Sequence, residues 1–357
     1  MKTNEILLQL IGNNASVNEI CSITGLSPKQ LFYRLNMLKI KGYDFEKKYY
    51  YNGDIVYSII NSLTKKNKNE ATIITSPKDT EFRAVLISDL HLGNVNDRPD
   101  LLYEVYNFCA KEGINIIINA GDLIDGAIGC GNVHNKKISD VNKQIEYFLN
   151  NYPYDKNILN FICLGNHDYS SLTSTGIDLE KILENKRHDL VSIGYQYCVI
   201  NVKNDAIIVR HFVETEERQR KSLANRLNII GHSHRNKNVV RSSQVNMWIP
   251  SLSDMSTGDI KGYNKQYPSI IVADISFRNG WFDIGVFEHF IFVNNEIIKV
   301  SESQYELISG KNVMQETIIN EEERKPLSKK EIDNILGITN NDLKKENAKS
   351  LRLTQTE

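Results

Sequence analysis

Residues 82–94 read FRAVLISDLHLGN, in which an apolar run, Phe82–Ile87, is followed at once by a polar turn. The same arrangement recurs twice, in Gly121-Asp122-Leu123-Ile124-Asp125 and in Gly165-Asn166-His167-Asp168, each of which follows another apolar run. Short apolar runs bounded by turn residues predict buried strands. Side chains just beyond a strand end stand on a rigid platform, so the pattern predicts an α/β fold with a functional site at its strand ends.

Two further segments add histidines to this pattern. His211 closes the run Ile207–Arg210, and Gly231-His232-Ser233-His234 follows Leu227–Ile230. Five of the eight histidines in the chain therefore fall within these motifs. A single Asp-x-His or His-x-His pair is ordinarily a polar turn, but five such segments in this order are not explained in that way.

The residue types indicate a metal centre. Asp and neutral His are the mixed oxygen and nitrogen ligands that suit Mn, Fe or Zn. A carboxylate such as that of Asp122 can bridge two cations, which lie about 3.5–4 Å apart in hydrolytic sites. We expect the outer side chains of Asp89-x-His91 to converge on one face, as alternate residues of a strand do.

The five segments together resemble the signature of the calcineurin-like metallophosphoesterase family, over roughly residues 82–275. The resemblance implies a four-layer α/β/β/α sandwich that holds two divalent metal ions, with Mn expected and Fe or Zn as alternatives. It also implies two sets of metal ligands that share one carboxylate. One set is Asp89, His91, Asp122 and His234, and the other is Asp122, Asn166, His211 and His232.

The same resemblance implies how the reaction proceeds, namely by in-line attack of a metal-activated hydroxide on phosphorus. His167 would stabilise the developing charge or protonate the leaving oxygen, and Asp168 would orient the His167 imidazole. The protein phosphatases of the family carry Arg-Gly after the second motif, where this chain has Ile124-Asp125-Gly126. The form SDLHLGN, GDLID, GNHD is more similar to that of the double-strand-break-repair exonucleases, although cyclic-nucleotide phosphodiesterases share it.

Residues 1–60 predict a small separate domain. Ser16 to Glu19 and Ser27 to Gln30 have the spacing of capping boxes, and Asn52-Gly53 is typical of a hairpin turn. The order helix, helix, helix, hairpin predicts a winged helix-turn-helix-like domain. In such domains the second helix of the motif enters the DNA major groove. The candidate DNA contacts are Lys29, Gln30, Tyr33, Arg34, Lys47 and Lys48.

The rest of the chain divides by composition. We expect a polar linker over 61–71, the catalytic domain over 72–300 and a polar tail over 301–357. The spacing of Ser328, Glu331 and Gly337 repeats that of residues 16–25, which indicates either a second helix-turn-helix-like unit at 326–353 or two generic capped helices. The glycine-rich loop around His134 and the arginines Arg98, Arg210 and Arg235 are weaker candidates for substrate contacts.

Bulk composition restricts the class of protein. Five dispersed cysteines without a CxxC pair are typical of reduced thiols, and no apolar run is long enough for a membrane span, so we expect a cytoplasmic protein. The net charge of −1 excludes a uniformly basic coat, but residues 1–78 carry 11 Lys and Arg against 6 Asp and Glu. That asymmetry is compatible with an acidic partner for the N-terminal segment or with a solvated basic face.

These observations predict a phosphodiesterase that acts on DNA or another nucleic acid, with the N-terminal domain as its DNA-binding or regulatory part. The alternative is a small-molecule or cyclic-nucleotide phosphoesterase whose terminal domains serve assembly or regulation. A non-enzymatic regulator with a relic catalytic domain is disfavoured because every ligand of the motif set is present.

Overall fold

The computed structural model describes residues 3–60, 69–76, 78–127, 136–211, 227–241, 244–254 and 267–307. Contacts divide these residues into two compact units. The described part of the first unit comprises residues 3–49 and 54–60, and that of the second comprises residues 50–53 and 69–307 with the gaps just given. His134 and the tail repeat at 326–353 lie outside the described residues.

The first unit contains three helices and a hairpin, in the order that its sequence predicts. The helices are α1 (Thr3–Gly12), α2 (Val17–Thr24) and α3 (Pro28–Ile40), and the hairpin strands are β1 (Asp44–Tyr50) and β2 (Ile55–Ile60). Both capping boxes form, because the Ser16 and Ser27 side chains accept from the backbone N–H of Glu19 and Gln30. Its apolar core includes Leu7, Leu10, Ile20, Leu31, Leu35 and Leu38.

The second unit contains two mixed sheets, as expected for an α/β fold. The first sheet has the order β15-β14-β13-β4-β5-β6-β7, with β4 to β7 parallel and the remaining pairs antiparallel. Its strands are β4 (Glu81–Ile87), β5 (Ile116–Asn119), β6 (Leu159–Leu164), β7 (Leu190–Tyr195), β13 (Ser269–Arg278), β14 (Trp281–Val293) and β15 (Glu296–Glu306).

Within this unit the second sheet has the order β11-β12-β10-β9-β8-β3. Its strands are β3 (Glu70–Ile74), β8 (Tyr197–Val202), β9 (Asp205–Arg210), β10 (Leu227–Ile230), β11 (Lys237–Arg241) and β12 (Gln244–Trp248). Strand β3 begins inside the segment expected to be a linker, and β15 continues past residue 300. The sequence boundaries therefore differ from the ends of the folded strands by a few residues.

Four helices complete the second unit, namely α4 (Pro99–Glu112), α5 (Val141–Asn151), α6 (Asn166–Thr175) and α7 (Leu179–Lys186). Apolar residues of α4, α5 and α7 pack with β4, β5 and β6 into one buried cluster. This cluster fixes the parallel strands whose carboxyl ends carry the polar motifs. None of the described helices is both long enough and apolar enough to cross a membrane.

Candidate metal centre

The motif residues follow the ends of neighbouring parallel strands. Asp89 and His91 follow β4, Asp122 follows β5, and Asn166 follows β6 in the first sheet. His211 follows β9, and both His232 and His234 follow β10, which pairs with β9 in the second sheet. Separate turns from both sheets therefore bring the seven ligand candidates together.

Three of these residues form one half of the centre. Donor atoms of Asp89, His91 and His234 all lie within 4.8 Å of one another. The Nε2 atoms of His91 and His234 are 3.3 Å apart, and His234 Nε2 is 3.2 Å from Asp89 Oδ1. His91 Nε2 also lies 3.8 Å from Asp122 Oδ2, so the Asp122 carboxylate faces this half of the centre.

The other half is built around the same carboxylate. Donor atoms of Asp122, His211 and His232 again lie within 4.8 Å of one another. Asp122 Oδ2 is 2.9 Å from His211 Nε2, and Asn166 Oδ1 is 3.0 Å from His232 Nδ1. Asp122 Oδ2 thus lies between the two groups, at 3.8 Å from His91 Nε2 and 2.9 Å from His211 Nε2.

The second ring nitrogen of His211 fixes its orientation. His211 Nδ1 lies 2.6 Å from the carbonyl oxygen of Ala120, which can only accept a hydrogen bond, so Nδ1 carries the proton. Nε2 then faces the Asp122 carboxylate. Although burial opposes the charged ring, the neighbouring Asp122 and Asp89 carboxylates raise the pKa of His211 to about 10.

The donor set fits divalent cations. The Oδ1 atom of Asp89 and the Nε2 atom of His211 are buried within the cluster, where Asp89 Oδ1 faces His234 Nε2 at 3.2 Å and His211 Nε2 faces Asp122 Oδ2 at 2.9 Å. Burial disfavours the ionised form of Asp89, but His234, His91 and His211 hold its pKa well below its ordinary value. Buried carboxylates that stay ionised among imidazole nitrogens form a donor set that suits a divalent cation.

The backbone at this centre differs from the expected strand geometry. Asp89, His91, Asp122, His232 and His234 all have positive φ, between 45° and 69°. Asp89 and His91 do converge as expected, but they lie beyond β4 in left-handed backbone and not as alternate residues of a strand. Left-handed turns after the strands aim these side chains, while the intervening Leu90 is buried in the apolar cluster.

His167 and Asp168 lie at the start of α6, and the structure corrects the role expected for Asp168. Asp168 Oδ1 accepts from the backbone N–H groups of Leu123 and Ile124, and Oδ2 accepts from that of Gly165. Asp168 therefore joins the second motif to the third instead of orienting the imidazole. Burial and the Asp122 carboxylate raise the pKa of Asp168 to about 6, against the effect of these three hydrogen bonds.

The group that orients His167 is a backbone carbonyl. His167 Nδ1 lies 2.7 Å from the carbonyl oxygen of Asp125, and the backbone N–H of His167 donates to Asp122 Oδ1 at 2.9 Å. The ring stands edge-on to His91, with centroids 4.6 Å apart. Asp125 belongs to the second motif, but the sequence could not indicate that its backbone carbonyl orients His167, because every residue has a backbone carbonyl.

Three arginines were weaker candidates, and two have partners elsewhere. Arg98 pairs with Asp100 at 2.6 Å, and the Arg210 guanidinium lies over the Tyr197 ring at 5.0 Å. Arg235, directly after His234, is exposed. Arg210, directly before His211, and Arg235 both adjoin a ligand candidate in the sequence.

The candidate DNA contacts lie together in the first unit. Lys29, Gln30 and Tyr33 are exposed on α3, whereas Arg34 reaches Asn4 with an NH1–Oδ1 distance of 3.4 Å. On β1 the Lys47 ammonium lies 5.5 Å from the centroid of the Phe32 ring, and Lys48 is half-buried. Three of the six candidates are thus exposed, and Arg34, Lys47 and Lys48 are partly buried.

Comparison with known proteins gives a match on the region that carries the motifs. Residues 82–248 match the family model described as calcineurin-like phosphoesterase. No curated protein matches the chain. The matched span includes all the motif segments from Asp89 to His234.

Solved structures resemble the chain only distantly. Vacuolar protein sorting 29 from Cryptosporidium parvum is 12% identical, with 64% of this chain and 100% of that chain covered and a TM-score of 0.39. An archaeal phosphodiesterase is 14% identical, with 61% and 99% covered and a TM-score of 0.36. A predicted phosphoesterase from Streptococcus pneumoniae is 11% identical, with 63% and 98% covered and a TM-score of 0.33. Likeness at this level supports no argument about activity.

Proposed function

We propose that this protein, whose residues 82–248 belong to the calcineurin-like phosphoesterase family, hydrolyses phosphodiester bonds with two divalent cations. One observation carries the proposal: the Asp122 carboxylate lies between two groups of imidazole and carboxylate donors that converge on it. The cluster also gathers buried carboxylates and imidazoles at spacings of 2.9 to 3.8 Å, and a divalent cation would compensate for so many ionisable groups away from water.

Proximity assigns the ligands to two sites. Asp89, His91, Asp122 and His234 would hold one cation, and Asp122, Asn166, His211 and His232 would hold the other. When bound, the cations supply Lewis-acid activation of the attacking water and neutralise the charge of the phosphate. The neutral amide of Asn166 keeps the site from repelling an anionic substrate as strongly as a third carboxylate would.

His167 is the group proposed to act on the leaving oxygen. Its Nδ1 donates to the Asp125 carbonyl, so Nε2 is the ring nitrogen that can serve the substrate. From that position a protonated His167 would stabilise the developing charge or donate a proton to the leaving oxygen. The cation proposed is Mn, with Fe and Zn as alternatives, because all three accept this donor set.

The proposed substrate is DNA or another nucleic acid, and the basic residues of the first unit support it. Lys29 and Gln30 stand exposed at the beginning of α3, the helix that a winged helix-turn-helix-like domain would place in the major groove. The phosphates would meet Lys29 and Lys48, while Gln30 and Tyr33 would face base edges.

A specific observation favours the alternative, in which the first unit serves assembly. Tyr33, Met37 and Ile40 form an exposed apolar stripe along α3, and Ile40 is 78% exposed. Exposed apolar side chains at helical spacing are more typical of a protein contact than of a DNA-reading helix. In that case the substrate would be a small phosphoester or a cyclic nucleotide.

The experiment that tests the proposal is an assay of the full chain with added Mn²⁺. It compares a phosphomonoester, a phosphodiester, a cyclic nucleotide, and linear and nicked DNA. We expect hydrolysis of the diester and of DNA, and activity on cyclic nucleotides alone would favour the alternative. Crystals soaked in manganese should show anomalous density beside Asp122, and a clean absence of density there would remove the basis for a metal-dependent hydrolase.

A further inference from the structure

A buried polar side chain on α5 has no place in the motif set. The core-facing residues of α5 are Val141, Gln144, Ile145 and Phe148, which have the spacing of one helix face. Three of them are apolar, but Gln144 carries an amide and is fully buried. A buried amide must find hydrogen-bond partners, so its position on this face requires a specific polar surface opposite it.

The partners of Gln144 are Gly126, directly after the second motif, and Ile138. Its Oε1 accepts from the backbone N–H of Gly126 at 2.7 Å, and its Nε2 donates to the carbonyl oxygens of Gly126 at 3.2 Å and Ile138 at 2.8 Å. The first motif approaches the same side chain, because a Cβ added at Gly93 would lie 2.8 Å from Gln144 Cγ. Gln144 therefore fills the junction between the first two motifs.

One planar peptide connects Gln144 to His167. The N–H of Gly126 and the C=O of Asp125 belong to the same peptide unit, which is rigid about its C–N bond. Gln144 Oε1 accepts a hydrogen bond from the N–H of that peptide unit, and the C=O of the same unit accepts a hydrogen bond from His167 Nδ1. Rotating the peptide to satisfy a different partner on one side would break the hydrogen bond on the other.

A second contact holds this turn against α6. Ser170 Oγ accepts from the backbone N–H of Ala127 at 2.8 Å and donates to the carbonyl oxygen of His167 at 2.5 Å. Gly126 also allows this close approach, since an added Cβ would lie 2.1 Å from the His167 carbonyl oxygen. The backbone of His167 is thereby fixed to the turn whose carbonyl orients the His167 ring.

We propose that Gln144 is a positioning residue for His167, acting through the Asp125–Gly126 peptide. It keeps the Asp125 carbonyl aimed at Nδ1, and so keeps the His167 Nε2 atom directed to the leaving oxygen. The inference rests on the proposed function, because it assigns Gln144 a part in leaving-group departure. Gln144 itself touches neither substrate nor cation.

The test compares two diesters that differ only in the leaving group, methyl 4-nitrophenyl phosphate and methyl phenyl phosphate. Phenolate is the more basic leaving group and depends more on a proton donor. With Mn²⁺ and the full chain, Gln144→Met should lower kcat about 30-fold on the phenyl ester and about 3-fold on the nitrophenyl ester, a modest part of the 10²–10⁴-fold range of general acid catalysis. The ratio of the two rates therefore changes about tenfold.

The matched control is Ile145→Ala, a buried substitution on the same helix face that leaves the peptide contacts intact. It should lower both rates equally, if at all. In the His167→Ala background, adding Gln144→Met should not change the ratio further, because the two residues act as one unit. Equal losses on both esters for Gln144→Met, or additive effects in the double variant, would overturn the inference.

A readout independent of turnover uses the nitrogen chemical shifts of the His167 ring in the metal-free protein. The wild type should show a single tautomer with the proton on Nδ1, and Gln144→Met should show a mixture. Should Gln144→Met fail to fold, Gln144→Glu retains the acceptor for the Gly126 N–H and should hold the ester ratio within about threefold of wild type. A tautomer mixture in the wild type itself would contradict the proposal.

The two levels of failure are distinguishable. A wild type that hydrolyses neither ester would overturn the proposed function and this inference with it. A wild type that hydrolyses both, with Gln144→Met no different from Ile145→Ala, would overturn the positioning role alone.

Discussion

The loops of the metal centre and the exposed face of α3 both carry residues that the sequence marked as functional, but they present them in opposite ways. At the centre, Asp89, Asp122 and His211 are fully or almost fully buried, and each faces another member of the set. On α3, Tyr33 and Ile40 point into solvent. The first region gathers its functional groups within the chain, whereas a function of the second would require a partner.

This difference explains why the first region restricts the possible chemistry more than the second. Buried ionisable groups are costly unless something pairs with them, so their convergence restricts what the site can do. Exposed lysine, tyrosine and isoleucine side chains carry little cost and are compatible with several partners. A substitution in one region should therefore change its own function and leave that of the other region unchanged.

The largest effect is expected for Asp122→Asn. The substitution keeps the shape of the side chain but removes the charge that faces both halves of the centre, so kcat should fall by about 10³-fold or more. Titration calorimetry should also show weaker Mn²⁺ binding. His167→Ala should lower kcat by about 10²-fold or more, as expected for the loss of a general acid, while retaining more of the Mn²⁺ affinity. Asp100→Asn, a surface carboxylate paired with Arg98, is the control. Near wild-type turnover in either site variant would contradict the assigned roles.

A smaller effect concerns the α3 region and distinguishes DNA from a protein partner. If three phosphates are contacted, the DNA affinity of an inactive Asp122→Asn chain should fall roughly 40-fold between 50 and 200 mM salt. The double variant Lys29→Ala and Lys48→Ala should flatten this dependence, whereas Met37→Glu tests the apolar stripe. A DNA affinity that does not change with salt concentration, together with self-association that Met37→Glu abolishes, would favour a role of the first unit in assembly.

Gly165→Ala should perturb the centre through the backbone. A Cβ at this position would lie 2.2 Å from Asp122 Oδ1 and 2.6 Å from Asp122 N, so one of the two motifs must shift. We expect a loss of about 2 kcal/mol in the free energy of unfolding and weaker Mn²⁺ binding. Gly12→Ala is the control, because an added methyl there meets no atom within 4 Å. Equal denaturation midpoints for the two variants would contradict the close approach of the two motifs.

The smallest effect is expected at the cap of α3. Ser27→Ala removes the side chain that accepts from Gln30 N, and should cost about 1 kcal/mol of local stability. Amide hydrogen exchange in α3 should therefore accelerate, while hydrolysis of a small diester stays unchanged. Ser22→Ala on the exposed face of α2 is the matched control. A loss of diester hydrolysis would show that the two regions are coupled.

Much of the fold and of the site was predictable because the decisive residues follow strands that are mostly apolar and buried. The runs before Ser88, Gly121 and Gly165 predicted β4, β5 and β6, and their parallel pairing brings the motifs to one edge. Helix α6 was not predicted, since it begins with Asn166 and His167 and has no apolar stripe. Its start is set by the contacts of Asp168 with backbone N–H groups.

The finer roles could not be predicted for a related reason. Asp168 was expected to orient His167 because the two are adjacent, but adjacent residues on a helix point in different directions. The groups that fix the ring, the Asp125 carbonyl and the Gln144 amide, lie 42 and 23 residues away along the sequence. A single glutamine within the apolar stripe of α5 was the one sign that the sequence offered.

The left-handed backbone at five ligand positions lowers the stability of the fold at the residues that activity requires. A non-glycine residue in that conformation costs about 1 kcal/mol or more, and glycine at each position would relieve the cost while deleting a donor atom. Directed evolution for heat resistance alone would therefore favour glycine at Asp89, His91, Asp122, His232 and His234. One or two such substitutions would give a more stable variant without activity, so selection for thermostability should include an assay of turnover at every round.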